Sequence, residues 1–286
     1  MNLLKMIKKL FWVSRPISWP NTAYPFAVGY LLTGGSVDLT FIIGTLYFLG
    51  PYNLLMYGIN DVFDYESDIK NPRKGGIEGM REERAFHPTV FKAAIITNIP
   101  FLAYLLTVGD WGAKLTLILV TFGVIAYSVK GLRFKEKPIL DSITSSLHFV
   151  GPLLFALSLH TFPTNAWGFV IAFFIWGMAS HAFGAVQDIV PDKKAGIASI
   201  ATFLGAKHTI RFAYFMYLIA AIIIFFQGSS YISIAIMGVV YCFNIAPYFS
   251  VSEKNAAETN KAWKRFLWIN YVTGAIVTMV ILITLI

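Results

Sequence analysis

Four carboxylates, Asp61, Asp64, Glu66 and Asp68, crowd into eight residues at the end of an apolar run that begins near Phe41. Ionised side chains are costly beside hydrocarbon, so such a group marks a binding site rather than a packing surface. On a helix, Asp64 and Asp68 lie about 60° and about 20° from Asp61, and the three share one narrow face. Tyr57 and Asn53 continue that face one and two turns deeper, and Asn60 lies at its edge. Negative charge at a helix C-terminus opposes the helix dipole, so the row calls for a cation. Its hard oxygen donors suit Mg2+, which is commonly held by a few carboxylates together with substrate phosphates.

A second row echoes the first. Asp188 and Asp192 are four residues apart, just past the apolar run Trp167–Val186, and Lys193, Lys194 and Gly196 come directly after. His181 precedes Asp188 by seven residues and so falls on the same predicted face, two turns deeper. The first row leads into Lys70, Asn71, Pro72, Arg73, Lys74, Gly75 and Gly76. The segment Tyr127–Lys135 places Lys130 and Arg133 three apart at a predicted helix end. Arg and Lys take up phosphate charge, and paired glycines let backbone come close to it. Two acidic helix ends with basic loops fit a diphosphate held through bridging metals. Asp141 is expected to neutralise Lys137 or Arg133, and His148 and His160 are expected to be structural.

The elements that must position these rows are membrane helices. Of 286 residues, 57% are hydrophobic and only 13% charged, and the mean hydropathy is +0.65. Those values exclude a soluble globular domain and predict a polytopic membrane protein. Apolar stretches near 17–34, 40–60, 89–108, 112–129, 139–160, 165–187, 208–227, 230–249 and 263–286 are each long enough to span a bilayer. Residues 1–14 carry Lys5, Lys8 and Lys9 among Leu, Ile and Phe, the pattern of an amphipathic helix on the membrane surface. Of 23 Lys and Arg, all but Lys114 fall in or beside that segment, in alternate connections or within about a turn of them. This positive-inside pattern accounts for the net charge of +8 without nucleic acid, and puts the N-terminus in the cytoplasm and the C-terminus outside. Cys242, the one cysteine, lies in an apolar run and leaves no disulfide or thiolate metal site.

The fold class expected is therefore an all-α membrane protein: one domain over 1–286, with nine transmembrane helices around a central cavity. The second and sixth helices both end in an acidic row followed by a basic loop. The fourth and eighth both end near a tyrosine, Tyr127 and Tyr241. Two such halves would bring the acidic ends together across the cavity.

These residues resemble the UbiA-type intramembrane prenyltransferases. The family pattern N-D-x-x-D-x-x-x-D is similar to Asn60, Asp61, Asp64 and Asp68. Its second D-x-x-x-D row, with a glycine four residues on, is similar to Asp188, Asp192 and Gly196, and its Y-S-x-x-x-K/R segment resembles Tyr127–Arg133. Nine helices also agree, so the resemblance covers essentially the whole chain. Within the family, residues 71–79 and Ser180-His181-Ala182-Phe183 look most like the lycopene elongase branch, which adds five-carbon prenyl units to the ends of a linear carotenoid.

The resemblance implies Mg2+-dependent transfer of an allylic prenyl group from its diphosphate to a lipophilic acceptor. Asp61, Asp64, Asp68, Asp188 and Asp192 would hold two Mg2+, with Asn60 as an added ligand or as a group supporting the ligands. Lys70, Arg73, Lys74, Lys130, Arg133, Lys193 and Lys194 form the pool that meets the leaving diphosphate. Tyr57, Asn53 and His181 are candidates to steady the cation or take the released proton. The implied partners are a prenyl diphosphate, a carotenoid or aromatic acceptor and membrane lipid, at the cell membrane with the site facing the cytoplasm. An aromatic-acceptor enzyme of quinone synthesis would use the same metal chemistry. A cation-coupled transporter would also place carboxylates between helix halves, but here they cluster at one face.

Overall fold

A computed structural model describes residues 2–69 and 82–285, the side chains of Ser67 and Leu285 excepted. Every long element among the described residues is helical. Among the described residues, eight helical stretches are long and apolar enough to cross a membrane. The first of the nine expected segments, 17–34, instead holds α2, Pro20–Leu32, after a 3-10 turn at Pro16–Ser18. Its 13 residues span about 20 Å, less than a hydrocarbon core of about 30 Å, and Pro25 interrupts its hydrogen bonding.

By contacts the chain forms two compact units, Met1–Phe134 with Leu147–Pro163, and Lys135–Ser146 with Thr164–Ile286. The first contains α1 (Leu3–Val13), α2, α3 (Leu39–Leu49), α4 (Pro51–Asp68), α5 (His87–Leu105) and α6 (Trp111–Ser128). α7 (Leu140–Ser158) contributes its first turns to the second unit and the rest to the first. The second unit continues with α8 (Trp167–Val186), short α9 (Ile189–Ala195) and α10 (Ile200–Leu204), then α11 (Ala206–Phe225), α12 (Ile232–Ile245) and α13 (Asn260–Leu285).

The amphipathic N-terminal helix is present as α1. Asn2 caps it, accepting from the Leu4 and Lys5 amides, and Leu3, Leu4, Ile7, Phe11 and Trp12 are exposed. An uncovered apolar face of that kind suits the boundary between lipid head groups and acyl chains.

The expected helix 40–60 is broken. Gly50 and Pro51 end α3 and begin α4, because Pro51 has no N–H to continue the ladder. In hydrocarbon the freed carbonyls need donors. The buried side-chain amide of Asn53 supplies them, bonding the Phe48 carbonyl at 2.8 Å and the Leu49 carbonyl at 3.1 Å. It also donates to Thr22 Oγ1 at 2.7 Å, and Thr22 itself donates to the Phe48 carbonyl at 2.7 Å. From α5, Asn98 covers the Pro51 carbonyl at 2.8 Å. Asn53 is thus occupied as a brace at the break.

Aromatic packing fixes each unit. Phe26, Tyr47, Phe48, Tyr52 and Phe155 are fully buried together in the first, where a Cβ on Gly44 would collide with the Phe26 ring. In the second, Phe266 stacks on Trp263 with ring centres 4.9 Å apart, and Tyr241 stacks on Tyr217 at 5.1 Å.

Candidate active site

The first acidic row occupies the last two turns of α4, as its spacing predicts. Asp61 and Asp68 are buried and Asp64 is partly so. Two guanidinium groups stand against them. Arg15 Nη2 donates to Asp61 Oδ1 at 2.6 Å, and Arg133 Nη2 lies 3.6 Å from Asp64 Oδ1. Asn60 is oriented from α6, its Oδ1 accepting from Ser128 Oγ at 3.0 Å. The Tyr57 ring carries the Arg15 guanidinium 4.2 Å from its centre.

Arg15 escapes the sequence reading. It follows Ser14, the cap that ends α1, and takes a left-handed backbone, φ 51° and ψ 73°. For a residue other than glycine such a conformation costs of order 1–3 kcal/mol, so other contacts must hold it. Burial works against the charged guanidinium, but Asp61, Tyr57 and Asp68 together outweigh it and raise the Arg15 pKa. The one available signal was an arginine, rather than another lysine, at the edge of the first apolar segment: the guanidinium tolerates burial against a carboxylate better than an ammonium does.

Arg133 and Lys130 are not on a helix. α6 ends at Ser128, and the chain turns through Gly131, φ 97°, to Arg133, φ 40°. The turn carries Arg133 back to Asp64 and leaves Lys130 exposed, so the two predicted partners part company. Lys70, Arg73 and Lys74 lie outside the described residues.

In the second unit α8 ends at Val186 and a new helix starts, with Asp188 as the residue before α9. Asp192 remains one turn from Asp188, its N–H donating to the Asp188 carbonyl at 2.9 Å. Gly196, at φ 71°, closes α9 with a paired cap. Ile197 N–H reaches the Asp192 carbonyl at 2.9 Å and Gly196 N–H reaches that of Lys193 at 3.3 Å. Lys193 is exposed and bonds both Glu253 carboxylate oxygens at 2.8 Å; Lys194 is exposed.

Asp141 does not serve as a surface counter-ion. Its side chain is fully buried: one oxygen accepts the Ser142 N–H at 2.7 Å, the other the Ile200 N–H at 2.6 Å. The second oxygen also faces His181 Nε2 at 3.5 Å. His148 is buried with its ring edge-on to Tyr127 at 4.9 Å, and His160 packs edge-on to Tyr30 at 4.8 Å, as structural histidines do.

Among the described residues, no three His, Cys, Asp or Glu side chains converge to hold a metal by themselves. The donor set still fits Mg2+. It is all oxygen, lines one helix face and already faces cationic partners, and Mg2+ takes only one or two carboxylates with substrate phosphate completing its shell.

Comparison with known proteins places this arrangement. A UbiA homolog from Archaeoglobus fulgidus, solved bound to DMAPP and Mg2+, shares the fold with a TM-score of 0.70 at 20% identity, covering 93% of this chain and 98% of that one. The lycopene elongase/hydratase of Corynebacterium glutamicum is 45% identical over 98% of both chains. The C(50) beta-cyclic carotenoids biosynthesis protein LbtBC of Dietzia sp. is 47% identical over 97% of this chain and 65% of its own length. The profile of the UbiA prenyltransferase family matches residues 22–279. The chain belongs to the UbiA prenyltransferase family and is a prenyltransferase.

Proposed function

We propose that the protein transfers a dimethylallyl group from its diphosphate to the ends of lycopene. The observation that carries this reading is the end-to-end similarity to a lycopene elongase/hydratase, with both acidic rows present in a chain of the same extent. The product keeps an alkene or gains a hydroxyl according to whether a proton is lost or water adds.

In this reading Asp61, Asp64, Asp68, Asp188 and Asp192 hold Mg2+ on one diphosphate, with Asn60 oriented by Ser128 as an added ligand. When bound, Mg2+ would neutralise the leaving group and make its carbon–oxygen bond easier to ionise. Arg133, Lys130, Lys193 and Lys194, with Lys70, Arg73 and Lys74, take up charge on the departing diphosphate. Arg15 keeps the Asp61 carboxylate oriented. Apolar walls exclude the water that would quench an allylic cation. Tyr57 lends its ring face to cationic charge, a use supported by the guanidinium already resting there.

We further read α2 as a ninth crossing, which places the N-terminus in the cytoplasm, the C-terminus outside and the acidic rows at the cytoplasmic face of the cell membrane. A reporter fused after Ile286 would then lie outside; a cytoplasmic signal overturns this topology.

The acceptor is tested by supplying membranes containing the protein with dimethylallyl diphosphate, Mg2+ and lycopene. Products lengthened at one or both ends are expected. Efficient prenylation of 4-hydroxybenzoate or dihydroxynaphthoate from a long prenyl diphosphate, with lycopene untouched, would move the assignment to quinone synthesis.

A further inference from the structure

We propose that His181 takes up the proton released as the elongated product forms, and that Asp141 is the residue that positions it. The inference rests on the prenyl-transfer reading above and concerns the proton-loss step after carbon–carbon bond formation.

Asp141 is 0% exposed, an expensive place for a carboxylate. Its two N–H partners do not account for the charge. Ser142 and Ile200 start helical turns, where an Asn or Ser oxygen would serve as well, and α10 already has a capping box from Ser199 and Thr202. The feature that does call for a carboxylate is the imidazole 3.5 Å away. An imidazolium formed there meets a fixed negative charge, held by two backbone donors and unable to swing aside.

His181 is placed to be used. Its side chain is 18% exposed, whereas Asp141 behind it is sealed. It is the one titratable side chain in the crossing Thr164–Val186. It lies five residues, about 7.5 Å, inside the end of α8, on the apolar side of Asp188. A proton lost from the acceptor skeleton is released there rather than at the charged helix ends.

Atoms and electrons balance in this scheme. The diphosphate leaves with the electron pair of its carbon–oxygen bond. The π pair of the acceptor's terminal double bond forms the new carbon–carbon bond and leaves a tertiary cation. A carbon–hydrogen pair next to that cation becomes the new double bond, and the proton passes to the His181 imidazole. Where water adds instead, its oxygen supplies the pair for the carbon–oxygen bond and the excess proton goes to the same imidazole.

The test uses the full-length protein in lipid nanodiscs with dimethylallyl diphosphate, Mg2+ and lycopene. It reads diphosphate released per lycopene elongated, and the split between alkene and alcohol products. The wild type should release about one diphosphate per coupling. His181→Gln should slow elongation by about 10²-fold, the scale of a lost general base, while ionisation continues and water quenches the donor. The diphosphate-to-carotenoid ratio then rises several-fold and the product split shifts. Asp141→Asn, which keeps shape and one acceptor oxygen, should move both readouts the same way by a smaller factor. If His181→Gln does not accumulate, His181→Asn is measured in its place. Loss of rate with ratio and split unchanged means a structural role only, or a proton taken by the released diphosphate, and overturns the proposal. A wild type that releases no diphosphate with lycopene overturns the prenyl-transfer reading itself, a result distinct from either.

Discussion

Arg15 and Asp61, 46 residues apart, meet through a single hydrogen bond of 2.6 Å, with 14% and 8% of their side chains exposed. The bond ties the end of the surface helix α1 to the acidic row of α4. A positive charge therefore stands where the reaction is proposed to recruit metal, and the pairing makes a definite prediction about stability.

Replacing Arg15 by Met removes the guanidinium that bonds the buried Asp61 carboxylate, and losing one partner of a buried ion pair costs about 3–5 kcal/mol. The thermal midpoint in detergent should fall clearly. Adding Asp61→Asn to Arg15→Met should restore part of the loss, because the buried charge that Arg15 faced is gone. A double-mutant cycle measures the coupling; additive effects would mean the pair contributes nothing.

Asp61→Asn and Asp188→Asn test the two acidic rows. Each keeps side-chain shape and removes one charge, and turnover should fall roughly 10²–10³-fold. Mn2+ binding followed by electron paramagnetic resonance should weaken in both. A chelator should stop wild-type turnover, and added Mg2+ should restore it. Near-native turnover in either variant at saturating Mg2+ would remove that row from the metal site.

The turn after α6 separates Arg133 from Lys130. Arg133 faces Asp64 while Lys130 is exposed, so Arg133→Ala should weaken binding of the prenyl diphosphate more than Lys130→Ala does. Donor titrations at fixed lycopene check this. Equal effects would mean that the turn presents both side chains to the diphosphate.

Asp38 gives a pH prediction at the far end of the same unit. Its carboxylate accepts the Phe41 N–H at 2.8 Å as the cap of α3, and the Tyr30 hydroxyl at 2.9 Å. Those donors, the Phe41 amide first, hold its pKa below the ordinary carboxylate value. The folded value lies below the unfolded one, so the stabilisation is complete above about pH 4 and is lost as pH falls through the folded value. Asp38→Ala should cost about 0.5–2 kcal/mol at neutral pH. The gap between mutant and wild type should close on acidification, measured by thermal unfolding in detergent.

The acidic rows stood out in the sequence because carboxylates that end apolar runs are costly beside hydrocarbon. Their spacing carried through to helix turns in α4 and α9. The length of α2 was not legible, since hydropathy over 17–34 does not register what Pro16, Pro20 and Pro25 do to the backbone. Averaging over 40–60 likewise hid the break, although Gly50-Pro51 stood in plain view. Asp141 departs from expectation because charge is readily weighed only between near neighbours, while Ile200, one of its partners, lies 59 residues away and His181 on another helix. Arg15 was hidden for the same reason, compounded by a backbone conformation that helical periodicity does not represent. Relationships within a turn or two of chain were readable, and those that depend on tertiary approach were not.

The broken crossing at Gly50 and Pro51 has a mechanical consequence. A helix interrupted in mid-membrane could act as a soft joint, free to bend as substrates come and go. Here Asn53, Thr22 and Asn98 close the gap with five short polar contacts, in surroundings that offer no water to replace them. The break behaves as a welded elbow. It holds α4 in its course after the break, so the acidic end of the helix is aimed once, at folding.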